Sequence, residues 1–246
     1  MASTEVSDTL AEHRQVWAAK RCLRLIYGDL HRRMAAACRS GRTLEVGGGI
    51  GNLKERMPGV VATDIQPAPW LDVVADAQDM PFADSSFDNV VMMDVLHHLP
   101  HPARFLAEVE RVLVPGGRLV MVEPAVTPGS WPFYHFLHQE AVRLGADPLG
   151  DAPQCSAADP YDANQAVPVL LFGKHRAELE RRFPRLKVVE RRYLSVLAYP
   201  LSGGFKRWTL LPGPLADLVL ALDNLLSPLL GRVLGFRLFV VVERAA

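Results

Sequence analysis

Cysteine is scarce in this chain, with three in 246 residues, at Cys22, Cys38 and Cys155. They lie far apart and form no C-x-x-C pair. That excludes a zinc knuckle and a disulfide framework, and it predicts reduced thiols in a cytoplasmic protein. Net charge is missing as well: 27 basic residues balance 27 acidic ones. The chain therefore carries no electrostatic footprint for nucleic acid, and none is expected as a partner. The opening residues are polar and acidic, without the apolar core of a signal peptide. No uninterrupted apolar run reaches membrane-spanning length. Internal repeats and low-complexity tracts are also absent.

What is present is apolar surface. The chain is 49% hydrophobic with a mean hydropathy of +0.09, and the excess gathers near the C-terminus. From Val6 to Arg39 the residues Val16, Trp17, Leu23, Ile26, Tyr27 and Leu30 recur at helical spacing, closed by Ser40-Gly41. Alternation then begins. Strands are predicted at Thr43–Val46, Val60–Thr63, Asp72–Ala75, Asp88–Met93 and Arg118–Val122, with helices at Asn52–Arg56 and Pro102–Val114 and a stop at Pro115-Gly116-Gly117. This pitch argues an α/β fold, a parallel sheet with helices on both faces. From Glu123 to about Phe172 the pattern breaks into a Pro- and Gly-rich stretch around an aromatic segment, Trp131 to Phe136, which reads as a lid. A helix at Lys174–Phe183 and a strand at Leu186–Leu197 follow. A second irregular, apolar stretch and a last strand at Phe236–Glu243 complete the chain.

The densest signal is Glu45-Val46-Gly47-Gly48-Gly49-Ile50-Gly51, with Asp64 after a short apolar run. Glycines at a strand-to-helix turn let a ligand approach the backbone. Asn52 stands where the dinucleotide fingerprint needs its third glycine, and no Gly-Lys pair marks a phosphate loop. Glu45 would repel a pyrophosphate and suit a ligand with an amine or positive charge.

The pattern E-x-G-x-G-x-G resembles the first motif of class I S-adenosylmethionine-dependent methyltransferases. The resemblance extends from about Arg42 to Glu123. Met80-Pro81-Phe82, Asp84 to Asp88 and Asp94-Val95-Leu96-His97-His98-Leu99 are similar to the type 11, quinone-biosynthesis-like enzymes that act on small molecules. The resemblance implies a Rossmann-like, seven-stranded mixed sheet whose last strand is antiparallel. It also implies S-adenosylmethionine as cofactor. Gly47, Gly49 and Gly51 would lie along its methionine end. Glu45 would hold the loop or face the cationic end indirectly. Asp64 would accept from the ribose hydroxyls, Ile65 would cover one face of the adenine, and Asp76 and Ala77 would read its edge. Asp94 marks the end of the fourth strand, where the backbone meets the methionine end. The chain reads as a single domain, 1–246. It comprises a helical cap (1–40), a cofactor-binding core (41–123), a lid insertion (124–172) and a C-terminal half (173–246) with an apolar insertion at about 199–234.

Methyl transfer needs alignment, water exclusion and sometimes a base. The candidate catalytic residues are His97 and His98 at the mouth of the fourth strand and His135 in the insertion; a packing role competes at His98. His135 and His138 lie three apart, which would put them on one helix face with Glu140 nearby. That leaves a metal without a third ligand, and no metal is expected. Trp131, Tyr134 and His138, with Phe133 and Phe136, are the expected substrate pocket. The leucine-rich segment from Leu215 to Leu230 has three conceivable homes: burial inside the protein, a homodimer interface, or peripheral contact with a membrane. Burial is the expected one, because polar-face lysines are missing. All three favour a small hydrophobic substrate of lipid, quinone, polyketide or terpenoid type. The alternative functions are cofactor binding without transfer, as a regulator, and electrostatic catalysis without methylation.

Overall fold

The computed structural model describes residues 6–246, so the first five residues of the expected cap lie outside it. The helical region breaks into α1 (Asp8–Ala19) and α2 (Arg21–Ala37). Lys20 makes the break. Its ammonium is buried and donates to the carbonyls of Gly204, Lys206 and Trp208 at 2.7, 2.7 and 2.8 Å. The N-terminal helices are thereby tied to a loop almost two hundred residues away.

Seven strands form one sheet: β1 (Thr43–Val46), β2 (Val61–Asp64), β3 (Val73–Val74), β4 (Phe87–Met93), β5 (Leu113–Pro124), β6 (Leu186–Leu194) and β7 (Arg237–Arg244). Their order is β3-β2-β1-β4-β5-β7-β6. The first five run parallel, and β7 is antiparallel to both neighbours, as expected. The central strands are buried on both faces, which explains their continuous apolar runs. Val90, Met92, Leu119 and Met121 face α3 (Pro102–Val112). Val91, Val120 and Val122 face Ile26, Leu30 and Met34 of α2. So α2 is a layer of the core rather than only a cap.

Several predicted elements change. Among the described residues no helix joins β2 to β3 or β3 to β4, and a single 3₁₀ turn (Asn52–Glu55) joins β1 to β2. Pro67, Pro69 and Pro81 break those short connections. Helix α3 ends at Val112, and β5 starts directly at Leu113. Pro115-Gly116-Gly117 is therefore a distortion inside the strand, where the pairing jumps from Leu113 to Arg118, not a helix stop. The lid opens with a short helix, α4 (Trp131–Phe136). It is followed by α5 (Val167–Val169), which continues into a π turn, and by α6 (Arg176–Arg182).

The region expected to be irregular folds into α7 (Ala198–Ser202) and a long helix, α8 (Ala216–Leu234). The expectation of burial is corrected here, since only 17% of the most apolar 18 residues of Gly213–Leu234 is buried. The face of α8 turned to the protein is made of Ala216, Asp223, Ser227 and Gly231. Asp223 accepts the backbone N–H groups of Leu197 and Ala198 at 2.6 and 3.2 Å, closing the first turn of α7. Gly231 lies against β6. A Cβ there would sit 2.5 Å from the Tyr193 carbonyl oxygen. Gly231→Val should therefore lower stability by about 2 kcal/mol or more, a fall in Tm of about 4–8 °C for a domain of this size. An unchanged Tm in thermal unfolding would show that α8 can shift off the sheet at no cost.

Candidate functional site

A cavity of about 1640 Å³ opens at the carboxyl ends of β1, β2, β3 and β4. It exceeds the roughly 300–1,000 Å³ of a site for one small molecule. One half is built on the glycine loop. Gly47, Gly49 and Gly51 all have positive φ, at 71, 47 and 76°. Gly47 allows close approach, because a Cβ there would lie 2.2 Å from Val95 Cγ2. The loop is held from outside. Gly49 N–H donates to Asp64 Oδ2 at 2.8 Å, and Trp70 Nε1 donates to the Gly49 carbonyl at 2.7 Å. Glu45, Asp64, Ile65, Asp76 and Ala77 all line this half. Asp64 Oδ1 accepts from Gln66 N–H and Asp76 Oδ1 from Gln78 N–H, which fixes both carboxylates at their strand ends with lone pairs to spare. Glu45 is buried, and its Oε2 has no partner among the described residues. Burial pushes its pKa up to about 7, against the pull of Lys54.

Asp94 takes φ +58°, uncommon for a side chain with a Cβ. Its carboxylate is occupied. The guanidinium of Arg237, itself 1% exposed, grips both oxygens, and Tyr27 donates its hydroxyl hydrogen at 3.2 Å. Tyr199 stacks on the same guanidinium, 3.9 Å from ring centre to Cζ. This ties the Asp94 side chain to the protein's own groups.

The second half of the cavity carries the histidines. His97 is buried between two carboxylates, with Nδ1 2.7 Å from Glu123 Oε2 and Nε2 3.4 Å from Glu140 Oε2. Burial opposes its charge, but the hydrogen bonds to Glu123 and Glu140 outweigh it and raise the pKa to about 10. An imidazolium has no lone pair, so His97 is not a base in this arrangement. Glu123 Oε1 also accepts from the N–H groups of Val95 and Leu96, both at 2.9 Å, which holds the turn after β4. His98 differs. Its Nδ1 donates to the Asp162 carbonyl at 3.1 Å, which leaves the lone pair on Nε2. Burial and the neighbouring His97 charge hold its pKa below the usual histidine value. Potential ligand atoms of His97, His98 and Glu140 lie within 4.8 Å of one another. This is a different trio from the His135, His138 and Glu140 set that the sequence suggested.

The lid residues divide. Tyr134 and His138 line the cavity, with Phe133. The buried Tyr134 hydroxyl donates to the Phe236 carbonyl at 2.8 Å. His135 and Trp131 do not line it. His135 is exposed and stacks on Trp131 with ring centres 4.7 Å apart, so the catalytic candidacy of His135 and the pocket role of Trp131 are corrected. The cause is helix length: α4 ends at Phe136, and His138 lies beyond it on a different heading.

Sequence reasoning missed Arg237, Tyr27, Tyr199 and Glu123. A signal existed for two of them. Arg237 opens β7 ahead of a five-residue apolar run, and Glu123 lies at the carboxyl end of β5 as Asp64 does at the end of β2. The charged state of His97 gives a testable sign. With its folded pKa raised to about 10, the stabilisation is complete below the unfolded value near 6.5 and fades as pH rises through about 10. His97→Asn should cost about 3 kcal/mol at pH 6, and the gap to the unsubstituted protein should shrink at pH 9.5. Equal gaps in urea unfolding at both pH values would contradict a charged His97.

A family model described as a methyltransferase domain matches residues 13–121. Over 56 residues the chain is 52% identical to a phthiotriol/phenolphthiotriol dimycocerosates methyltransferase of Mycobacterium ulcerans, which is 22% of this chain and 21% of that one. Over 49 residues it is 49% identical to the chloroplastic tocopherol O-methyltransferase of Arabidopsis thaliana, covering 20% and 14% of the two chains. The chain thus spans about a fifth of the length of the curated relatives it matches. A solved SAM-dependent methyltransferase from Thermotoga maritima shares the fold, with a TM-score of 0.51 at 14% identity, over 92% of this chain and 91% of that one. The matched segment ends inside β5, having supplied every strand whose carboxyl end carries the glycine loop, Asp64, Asp76 and Asp94, so over that segment the chain is similar to a methyltransferase domain.

Proposed function

We propose that the protein transfers a methyl group from S-adenosylmethionine to a small, apolar, lipid-like acceptor. The observation that carries this is the single cavity. Its glycine-and-carboxylate half is continuous with a half walled by Phe133, Tyr134, Leu137 and Phe205. The residues present fit the cofactor. Gly47 and Gly49 leave a cradle at the β1 turn, and the orphan Oε2 of Glu45 offers a buried acceptor behind it. In this reading Asp64 takes the ribose hydroxyls, Ile65 and Ala77 flank the adenine, and Asp76 takes its amine. When bound, S-adenosylmethionine supplies a methyl group on a cationic sulfur, activated for in-line displacement.

This chain's own groups do the rest. The apolar wall excludes water and aligns the acceptor. His98 Nε2, unprotonated at neutral pH, removes the proton of an acceptor hydroxyl. The His97 imidazolium, fixed by Glu123, positions the His97-His98 turn and favours the neutral state of His98 through its charge. The names of the matched relatives, which act on phthiotriol dimycocerosates and tocopherol, support an apolar acceptor.

Incubation with labelled S-adenosylmethionine and a panel of lipid and phenolic alcohols should give S-adenosylhomocysteine in step with a labelled, solvent-extractable product. Cofactor binding with no transfer to any acceptor would favour the regulator reading. His98→Ala should lower kcat about 100-fold with cofactor affinity unchanged; a parallel loss of affinity would assign His98 a structural role instead. Gly47→Ala should weaken cofactor binding at least tenfold in calorimetry, since the added methyl meets Val95.

A further inference from the structure

Helix α8 is amphipathic the wrong way round for a soluble domain. Its inward face carries Asp223, Ser227 and Gly231, while Leu218, Leu222, Leu225 and Leu229 point outward, 58, 43, 68 and 79% exposed. Their spacing of three and four residues makes one continuous ridge. Exposed charge is confined to the ends of the helix, at Asp217 and Arg232. Leu215, Val233 and Leu234 extend the ridge, well beyond the apolar patch a monomer normally shows to water. The helix lies along the domain rather than leaving it, because α2 and β6 pack against it and β7 follows at once.

The flanks of the ridge are basic. Arg21, Arg32 and Arg33 of α2 stand on one side, Arg192 of β6 on the other, and Arg232 at the end of α8. Among the described residues the only carboxylates paired with them are Asp217, Asp29 and Glu190. Arg32 and Arg33 share Asp29, and Arg232 forms no ion pair among the described residues. In a chain of zero net charge this is a local positive excess. A second copy of the chain would suit the leucines but not the flanks. A two-fold axis across the ridge puts α2 over α2, and one along it puts α2 over β6; either opposes arginines. A sheet of anionic headgroups satisfies both the ridge and its frame. The loop that leads into the ridge belongs to the cavity wall. Lys206, Arg207 and Trp208, in the loop before α8, line the cavity, and Leu210 beside them is 70% exposed.

We infer that α8 is a membrane-docking face, which seats the leucine ridge among the acyl chains of an anionic bilayer with the cavity mouth at its edge. The inference does not depend on the identity of the acceptor. The test is sedimentation of the purified chain with phosphatidylcholine vesicles, with and without phosphatidylglycerol, alongside light scattering in the absence of lipid. Binding is expected to the anionic vesicles, weakened by high salt, and from a monomer. Leu225→Asp/Leu229→Asp should reduce partitioning at least tenfold while cofactor binding by calorimetry stays unchanged. Should that pair misfold, Leu225→Gln/Leu229→Gln makes the same comparison. No binding to anionic vesicles would overturn the inference. So would a stable dimer that the same substitutions split, since the ridge would then belong to a second copy. Vesicle binding with failed methyl transfer would count against the proposed reaction and leave the docking face standing.

Discussion

Arg237 brings a full positive charge into the interior at the start of β7, where Asp94, Tyr27 and Tyr199 answer it. Four elements meet at this guanidinium: the end of β4, helix α2, helix α7 and β7 itself. Removing one partner of such a buried pair costs about 3–5 kcal/mol, because the other charge stays behind unpaired. The pair therefore fixes where the last strand enters relative to the cofactor edge of the sheet. It also accounts for the left-handed backbone at Asp94, since the geometry that reaches Arg237 over-determines a conformation the residue would not choose alone. The 3₁₀ turn that presents His97 and His98 follows directly, and Glu123 on the neighbouring strand holds its first N–H groups.

The cavity thus has two kinds of wall for one physical reason. At the ends of β1 to β3 the connections are short and proline-bearing, so backbone and carboxylates face the opening rather than helix sides. Beyond β5 the chain is long enough to fold back. The insertion crosses the mouth, where Tyr161 reaches Gln66 and Ser7. Its aromatic part seats Tyr134 against the backbone of the β7 entry. The buried Lys20 closes the remaining side by holding three carbonyls of the 204–208 loop. Polar anchors from distant parts of the chain enclose an otherwise apolar volume.

Legibility in the sequence followed the range of the interaction. The glycine turn, Asp64 and Asp76 were readable because a strand, its turn and the acid at the end of the next strand follow one another in the chain. The central strands were readable because burial on both faces leaves an unbroken apolar run. Lys20 was not, since a lysine inside a helical pattern looks solvated until its carbonyl partners are known. His135 and His138 misled because their spacing implies a shared face only while the helix continues, and α4 stops at Phe136. The difference between His97 and His98, adjacent and chemically identical, lies wholly in Glu123, Glu140 and the Asp162 carbonyl.

By itself the sequence determined the sheet, the first turn and the kind of ligand that turn admits, because local sterics and burial periodicity act through neighbours in the chain. Tertiary structure alone decided which histidine is charged, which aromatic residues line the cavity and which face of α8 is turned outward. Each of those depends on groups brought together from more than twenty residues away. A helix with leucines on one side and small polar residues on the other specifies two faces, and only the sheet beneath it selects the one that is buried.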